Sequence, residues 1–294
     1  MQTMTPKERV LMAIRHQETD RLPRGELIVE ETFLNRLYPD EADLPYRGKM
    51  RHLAEEVDLD LVTIGVGGKN EDSGLEEVSR WAVETPYFIM ALVDGLFWKQ
   101  EDPLSFQEFI LGISRGEERV RDLFRTKKER AMTLIPRCLD QGAHGVIIGD
   151  DLAYDRGPFI SPEELGQWIF LGLQEMVDVI KRRNRVAFLH SCGNLTRIVD
   201  QILSVGFDGL HGLSTTSGND PLSIREITHK RLAMMGIFEL DSMQPRDIKA
   251  MKEEILPSLA AGRGYILGSA AGLSENTPLD SFRALYSETT PLNP

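Results

Sequence analysis

Cysteine is scarce in this sequence, and long apolar runs are missing. The chain of 294 residues has two cysteines, Cys138 and Cys192, which are too few for a disulfide framework in a protein of this size. No apolar run reaches the roughly 20 residues that a membrane-spanning helix needs, and the opening residues MQTMTPKERV lack the apolar core of a signal peptide. We therefore expect a protein of the reducing cytoplasm that has no membrane partner.

Positive charge is also in short supply. The sequence has 34 Lys and Arg against 46 Asp and Glu, which gives a formal net charge of −12. An acidic surface repels the phosphates of nucleic acids and the headgroups of anionic lipids, so we expect no nucleic-acid partner either. The hydrophobic content of 41% is nevertheless high enough for a folded globular core.

Signature motifs of nucleotide-binding enzymes are absent as well. The sequence contains no G-x-x-x-x-G-K-[ST] phosphate loop and no G-x-G-x-x-G that follows a strand. It also has no Pro- or Ser-rich linker and no tandem repeat. We therefore expect residues 1–294 to form a single domain that does not bind nucleotides through either of these loops.

What recurs in the sequence is a short apolar run followed by an amphipathic helix. Continuous apolar runs of strand length are typical of strands covered on both faces, as in a parallel sheet. Eight such strands are the number that closes a barrel, so we predict an α/β fold, a (β/α)8 TIM barrel, with an open doubly wound sheet as the alternative. The predicted strands are Leu22–Glu30, Leu59–Val66, Phe88–Leu96, Gly145–Ala153, Arg185–Ser191, Phe207–Leu213, Arg231–Leu240 and Gly264–Ser269.

Helix starts can be read at three places. Thr5-Pro6-Lys7-Glu8 and Ser161-Pro162-Glu163-Glu164 are capping boxes with proline at the first helical position, and Thr277-Pro278-Leu279-Asp280 has a similar pattern. The first of these predicts an N-terminal helix ahead of the barrel. We expect the long polar segments Pro39–Leu53 and Gly67–Glu84 to be covering loops over the C-terminal mouth of the barrel.

The strongest chemical signal is the segment Phe188-Leu189-His190-Ser191-Cys192-Gly193-Asn194. Side chains at i and i+2 of a strand point to the same side, so His190 and Cys192 can address one point together. An imidazole and a thiolate are suitable zinc ligands, although a zinc site needs at least three protein ligands. The alternative is a buried histidine and a small, apolar-like cysteine at a strand end.

Carboxylates follow or interrupt three other predicted strands. Asp150 and Asp151 come after one strand, Asp94 ends another, and Glu26 lies inside the apolar first strand. An ionised carboxylate in such a strand is costly unless it is paired or bound to a metal, and a structural pair with Arg24 is the alternative for Glu26. We predict catalytic roles for Glu26, Asp150 and Asp151, with a substrate hydrogen bond or metal ligation as further roles open to the aspartates. One of the two adjacent aspartates is expected to face the site and the other to cap a helix or pair with Arg156.

Two further residues could complete a metal set with His190 and Cys192. His211 lies in the sixth predicted strand and Glu239 in the seventh. Both residue types bind zinc. A single histidine or glutamate is more often structural, which is the alternative for each of them.

The order of these motifs resembles the uroporphyrinogen decarboxylase superfamily over nearly the whole chain. Within this superfamily, the H-x-C pair resembles the motif of the cobalamin-dependent methyltransferases. This resemblance implies a (β/α)8 barrel, in agreement with the strand count. The motifs that carry it are Thr5-Pro6-Lys7-Glu8-Arg9, Asp20-Arg21-Leu22-Pro23, Gly149-Asp150-Asp151, Ser161-Pro162-Glu163, His190-Ser191-Cys192-Gly193-Asn194 and Thr277-Pro278-Leu279-Asp280.

The resemblance also implies a zinc cofactor, for which His190 and Cys192 would be the first ligands. The usual third ligand of that branch is a cysteine on the last strand, and Ala271 stands at the matching position. Either His211, Glu239 or Glu26 completes the site, or zinc is absent and the pair has another use.

The function implied by the resemblance is methyl transfer. The methyl group would move between a small methylated substrate, or a thiol or folate acceptor, and the cobalt of a cobalamin or other corrinoid on a separate corrinoid protein. Glu26 and Asp150 or Asp151 would protonate or orient the substrate, and Asp94 and Asn194 would bind it. Barrels of this family often pair, so a homodimer is expected.

Two other functions remain as alternatives. A decarboxylase is one, but Arg24-Gly25-Glu26 stands where that branch has a cluster of arginines for its polycarboxylate porphyrinogen. An acid in that place would repel such a substrate. The other alternative is a non-catalytic barrel that binds a corrinoid or a small ligand.

Overall fold

The computed structural model describes residues 3–68, 71–261 and 263–287, and within them eight parallel strands form one barrel. The barrel order is β1-β2-β3-β4-β7-β8-β9-β10, and β5 and β6 form a separate antiparallel hairpin. In chain order the strands are β1 (Gly25–Glu26), β2 (Leu61–Gly65), β3 (Phe88–Asp94), β4 (Gly145–Gly149), β5 (Ala153–Tyr154), β6 (Gly157–Pro158), β7 (Val186–His190), β8 (Gly209–His211), β9 (Ala233–Met235) and β10 (Tyr265–Ile266).

Backbone hydrogen bonds between the last strand and the first close the barrel. The Gly25 N–H donates to the Leu267 carbonyl at 2.9 Å, and the Leu267 N–H donates to the Pro23 carbonyl at 2.8 Å. Each barrel strand lies inside one of the eight predicted segments, so the predicted (β/α)8 barrel is confirmed and the open sheet is wrong. The observed strands are shorter because the ladder bonds cover only part of each apolar run.

Helices surround the barrel and alternate with its strands, as expected for right-handed βαβ crossovers. They are α1 (Pro6–Ile14), α2 (Glu31–Leu37), α3 (Tyr46–Glu56), α4 (Glu71–Glu84), α5 (Phe106–Arg115), α6 (Glu118–Asp140), α7 (Pro162–Leu165), α8 (Leu171–Arg182), α9 (Val199–Val205), α10 (Pro221–Ile227), α11 (Pro245–Ala261) and α12 (Leu279–Tyr286). In the part of the chain that the structure describes, none of these helices is both long and apolar enough to cross a membrane.

Two of the three predicted helix starts are confirmed by side-chain caps. Thr5 and Glu8 form a capping box at α1, and Ser161 and Glu164 form another at α7. The third start differs, because α12 begins without a side-chain cap and the Thr277 hydroxyl donates to Asp241 at 2.6 Å instead. Thr277 therefore ties two loops together and does not cap the helix.

The two segments predicted as covering loops are largely helical. Pro39–Leu53 contains most of α3, and Gly67–Glu84 contains the whole of α4. Leu75, Val78 and Trp81 are buried on one face of α4, at steps of three residues. The many charged residues on the opposite face obscured this pattern in the sequence.

Side chains inside the barrel form a cluster separate from the larger core between strands and helices. Phe88, Met90, Ile147 and Phe188 belong to the inner cluster, which α1 covers at the N-terminal end of the barrel. Because strand side chains alternate between faces, these residues define the inward parity of each strand. The same parity decides which polar side chains reach the C-terminal mouth, where TIM barrels place their active sites.

Candidate functional site

His190 and Cys192 lie together at the C-terminal mouth, as their spacing predicts. His190 is the last residue of β7 and has the same inward parity as Phe188. The Cys192 sulfur lies 3.7 Å from Nε2 of His190 and is accessible to solvent. The two side chains therefore share one open point at the end of the barrel.

Asp151 is the third member of this cluster. Gly149 pairs with His190 across β4 and β7, and inward parity passes from Gly149 to Asp151. Oδ1 of Asp151 lies 3.7 Å from Nε2 of His190. Asp151, His190 and Cys192 each offer one ligand atom, and these three atoms lie within 4.8 Å of one another. We name these three residues the mouth triad.

Backbone and hydroxyl contacts join the segment after β4 to the segment after β7. The Cys192 N–H donates to Oδ1 of Asp151 at 2.9 Å, and the Leu152 N–H donates to the Ser191 hydroxyl at 3.0 Å. Gly193 has a φ of 85°, and a Cβ there would come within 2.4 Å of the Ala153 carbonyl oxygen. The glycine in the motif is thus required for this close approach, which holds the triad in place.

The donor set of the mouth triad fits zinc. Nitrogen, thiolate sulfur and carboxylate oxygen are all zinc ligands, and three protein ligands with an open fourth position are typical of catalytic zinc. A nitrogen and a sulfur bound to one tetrahedral zinc would be about 3.6 Å apart from standard bond lengths. The observed 3.7 Å between His190 and Cys192 agrees with that separation.

Burial keeps the histidine and the thiol neutral in the metal-free protein. It lowers the pKa of His190 to about 4, against the opposing charge of Asp151. It raises the pKa of Cys192 to about 12, in the same direction as the charges of Asp151 and Glu239 and against that of Lys99. A bound cation reverses the preference of the thiol, because metal coordination removes its proton.

His211 does not offer an atom to the mouth triad. It ends β8 beside His190, and their Nδ1 atoms lie 2.8 Å apart. The ring is fully buried, and burial lowers its pKa well below the usual value. The predicted metal-ligand role of His211 does not fit this position, because its Nδ1 meets Nδ1 of His190 and its Nε2 is buried against Gly236.

Glu26 lies on the outer face of the barrel. Leu27 belongs to the inner cluster, so the preceding Glu26 points toward the helices, where it is 2% exposed. Its carboxylate accepts hydrogen bonds from the Ser269 N–H at 3.1 Å and from the Tyr286 hydroxyl at 2.5 Å. This placement does not fit contact with a substrate or a metal at the mouth. The alternative pair with Arg24 is not formed either, since the Arg24 guanidinium donates to the Val57 carbonyl.

Asp150 is likewise turned away from the mouth. It is fully buried and accepts the N–H groups of Leu96 and Phe97 at 3.0 and 2.6 Å. Burial raises its pKa to about 6. Of the two adjacent aspartates, Asp151 faces the site, and the catalytic role predicted for Asp150 does not fit its position.

The remaining predicted residues, Asp94, Asn194 and Glu239, differ in exposure and in the groups that they contact. Asp94 ends β3 with a half-exposed side chain, 3.9 Å from the Lys99 ammonium. The Asn194 amide donates to the Gly218 carbonyl and accepts the Thr196 N–H, which uses one donor and one acceptor site of this side chain, so its predicted contact with a substrate stays a prediction. Glu239 is half-buried and its charge acts on Cys192, but it does not belong to the mouth triad.

The sequence analysis did not single out Lys99, and it assigned Asp151 a catalytic role in preference to a place among the metal ligands. The Lys99 ammonium lies 3.9 Å from Asp94, and its charge lowers the pKa of both His190 and Cys192. The signal available was its position shortly after the end of β3. Ala271, at the position of the expected cysteine, has only a methyl side chain, and Asp151 on the other side of His190 brings the third donor atom instead.

One family model and one curated protein are similar to this chain. Residues 106–290 match the model of the family described as uroporphyrinogen decarboxylase (URO-D). A curated relative is the methylcobamide:CoM methyltransferase MtaA of Methanosarcina barkeri, 23% identical over 198 residues. That alignment covers 67% of this chain and 56% of the relative, so the chain spans little more than half of that protein.

Solved structures support the fold. A methyltransferase from Methanosarcina mazei superposes with a TM-score of 0.76 at 19% identity, over 96% of this chain and 97% of that one. The 3-keto-D-glucoside 4-epimerase YcjR from E. coli superposes with a TM-score of 0.53 at 16% identity, over 90% and 98% of the two chains. At these identities the likeness is one of barrel architecture.

Proposed function

Because the chain belongs to the uroporphyrinogen decarboxylase family, we propose that it is a zinc-assisted methyltransferase that uses a corrinoid. The observation that carries this proposal is the convergence of His190, Cys192 and Asp151 at the open end of the barrel. The likeness to a methylcobamide:CoM methyltransferase supports the same chemistry. We further propose that a separate corrinoid protein presents its cofactor to this mouth.

Each residue of the mouth triad has a defined task in this proposal. His190 offers Nε2, Cys192 offers its thiolate, and Asp151 offers a carboxylate oxygen that also accepts the Cys192 N–H. Zinc, when bound, would hold a substrate thiol or polarise a leaving heteroatom at neutral pH. Asp94, half-exposed at the rim, and Lys99 beside the triad would orient the polar part of the substrate.

The charges at the mouth favour methyl transfer over porphyrinogen decarboxylation. The charges of two carboxylates, Asp151 and Glu239, act on Cys192 together with that of one ammonium, Lys99. A polycarboxylate substrate would meet repulsion in this setting. A small substrate with a thiol, an ether or an amine would not.

The test combines metal analysis with a methyl-transfer assay. Protein purified without oxygen is assayed for zinc and for transfer of methyl from methylcobalamin to a small thiol, in which the carbon–cobalt bond breaks and its electron pair stays on cobalt. We expect about one zinc per chain and turnover in the wild type, with both lost in His190→Ala and Cys192→Ala. Cys138→Ala is the matched control, because Cys138 is buried in α6 away from the mouth.

The outcomes separate the three functions. Cobalamin binding without turnover would support a non-catalytic barrel, and turnover of uroporphyrinogen would support the decarboxylase. Methyl transfer that survives both His190→Ala and Cys192→Ala would contradict the proposed role of the mouth triad.

A further inference from the structure

The mouth triad is joined to a buried histidine that the proposed metal site does not use. His211 is fully buried, and its Nδ1 lies 2.8 Å from Nδ1 of His190. The two atoms that meet are both Nδ1 atoms. For a hydrogen bond to form between neutral rings, one Nδ1 must carry a hydrogen and the other must accept it. The protein therefore has to select one of two tautomer pairs.

The far side of the His211 ring decides which pair forms. Nε2 of His211 is buried and makes no hydrogen bond of standard geometry among the described residues, and the Ser269 carbonyl oxygen lies on the same side of the ring, since a Cβ at Gly236 would contact both atoms. A lone pair on Nε2 would face a carbonyl oxygen and be repelled, whereas an N–H there would be attracted. His211 therefore carries its hydrogen on Nε2, and its Nδ1 is an acceptor.

The Ser269 carbonyl is itself held in position from the outer face of the barrel. The Ser269 N–H and hydroxyl both donate to the Glu26 carboxylate, and the hydroxyl accepts the Gly272 N–H at 2.9 Å. Glu26 in turn accepts the Tyr286 hydroxyl from α12. The buried carboxylate on the outside of β1 thus anchors the residue that orients His211.

Gly236 makes room for this arrangement. It has a φ of 68°, and a Cβ there would lie 2.1 Å from the Ser269 carbonyl oxygen and 2.7 Å from Nε2 of His211. Both atoms therefore crowd against the same backbone position. Only a residue without a side chain lets the ring and the carbonyl come together there.

We infer that His211 is a positioning residue that holds His190 in the Nδ1–H tautomer, with the Nε2 lone pair directed at the mouth. With Nδ1 of His211 as acceptor, His190 donates from Nδ1 and keeps Nε2 free. That lone pair faces the Cys192 sulfur and the Asp151 carboxylate, both 3.7 Å away. A histidine that binds a metal through Nε2 needs this tautomer.

This inference rests on the proposed zinc site for its function, but the tautomer can be measured without metal. Metal-stripped protein labelled with 15N in its histidines would be examined by NMR, with His190→Ala used to assign the signals. We expect His190 as the Nδ1–H form and His211 as the Nε2–H form. An Nε2–H form at His190 in the metal-free wild type would overturn the inference, whatever the protein catalyses.

Two substitutions at one position test the positioning role. His211→Asn places an amide oxygen near the position of Nδ1 and keeps an acceptor, whereas His211→Phe fills the space without one. Zinc affinity, measured by competition with a chelator, should fall about 10–100-fold in His211→Phe and stay within about threefold of wild type in His211→Asn.

The outcomes are distinct from those of the methyl-transfer assay. Equal zinc affinity in His211→Phe and wild type would overturn the inference while leaving the proposed function intact. The expected tautomers and affinities without methyl transfer would support the inference and remove the proposed function. If His211→Phe does not fold, the wild-type tautomer and the affinity of His211→Asn still decide.

Discussion

Oδ1 of Asp151 and Nε2 of His190 lie 3.7 Å apart across the ends of β4 and β7. Where the corrinoid-dependent branch is expected to have a cysteine on its last strand, this chain has Ala271. The third donor atom therefore comes from the neighbour on the opposite side of His190. The mouth triad has the ligand types N, S and O, so a harder carboxylate oxygen stands in place of a second thiolate at the same formal charge.

Asp151→Ala is expected to abolish tight zinc binding without unfolding the protein. Asp151 is exposed and its side chain contacts only the triad and the Cys192 N–H in the contacts described, so the barrel does not depend on it. Zinc affinity should fall by more than about 100-fold, beyond the effect of losing an outer hydrogen-bond partner. Chelator competition measures this, with Asp94→Ala as the control that should bind zinc as the wild type does.

The adjacent Asp150→Ala should have the opposite profile. Its loss leaves the buried N–H groups of Leu96 and Phe97 without an acceptor, and each such group costs about 1–3 kcal/mol. We expect the free energy of unfolding to fall by roughly 2–4 kcal/mol in urea denaturation. An Asp150→Ala protein as stable as the wild type would show that this carboxylate is not structural.

The pH dependence of stability should carry the signature of Glu26. Burial raises the pKa of Glu26 to about 7 from 4.5, so its stabilising contribution is complete below pH 4.5 and is lost as the pH rises through 7. A shift of this size corresponds to roughly 3 kcal/mol. Between pH 4.5 and 7, the wild type should lose stability relative to Glu26→Gln, which has a similar shape, exchanges one acceptor oxygen for an amide donor and has no charge.

Urea denaturation of the two proteins at several pH values measures this difference. A constant difference between wild type and Glu26→Gln across that range would contradict the raised pKa. The expected change of stability with pH is opposite to the change that a salt-bridged carboxylate causes. A protein with such a carboxylate loses stability when the pH falls.

Two glycines at the barrel mouth should respond differently to alanine. Gly236→Ala introduces a Cβ 2.1 Å from the Ser269 carbonyl oxygen at a positive φ, so it should cost more than about 2 kcal/mol of unfolding free energy. Gly65→Ala meets no atom within 4 Å and should stay within about 0.5 kcal/mol of wild type. Thermal unfolding of the two variants would compare them directly, and equal losses would contradict the close packing at Gly236.

The barrel could be predicted from the sequence because its strands are buried on both faces. Such strands appear as continuous apolar runs, and each of the eight barrel strands lies inside one of them. The helices α3 and α4 were missed since charged residues on their exposed faces hide the buried positions. The side chains of His190 and Cys192 could be placed on the same side of their strand, because residues i and i+2 share a side whatever the neighbouring strands are.

The other site residues depend on parity and register, which the sequence leaves open. A continuous apolar run does not show which residues point inward, so the outward position of Glu26 and the turn of Asp150 away from the mouth could not be predicted. The position of His211 depends on the register that sets it beside His190 in the next strand. Asp151 was recognised as a polar residue at the mouth, but its distance to His190 needed the fold.

The most direct test of the mouth triad is the absorption spectrum of the cobalt-substituted protein. Co²⁺ takes tetrahedral zinc sites, and a thiolate ligand gives a charge-transfer band in the near ultraviolet. We predict one cobalt per chain with this band in the wild type, loss of the band in Cys192→Ser, and retention of it in Cys138→Ala. A wild-type protein that binds no cobalt, or that binds it without the thiolate band, would contradict a metal site built on His190, Cys192 and Asp151.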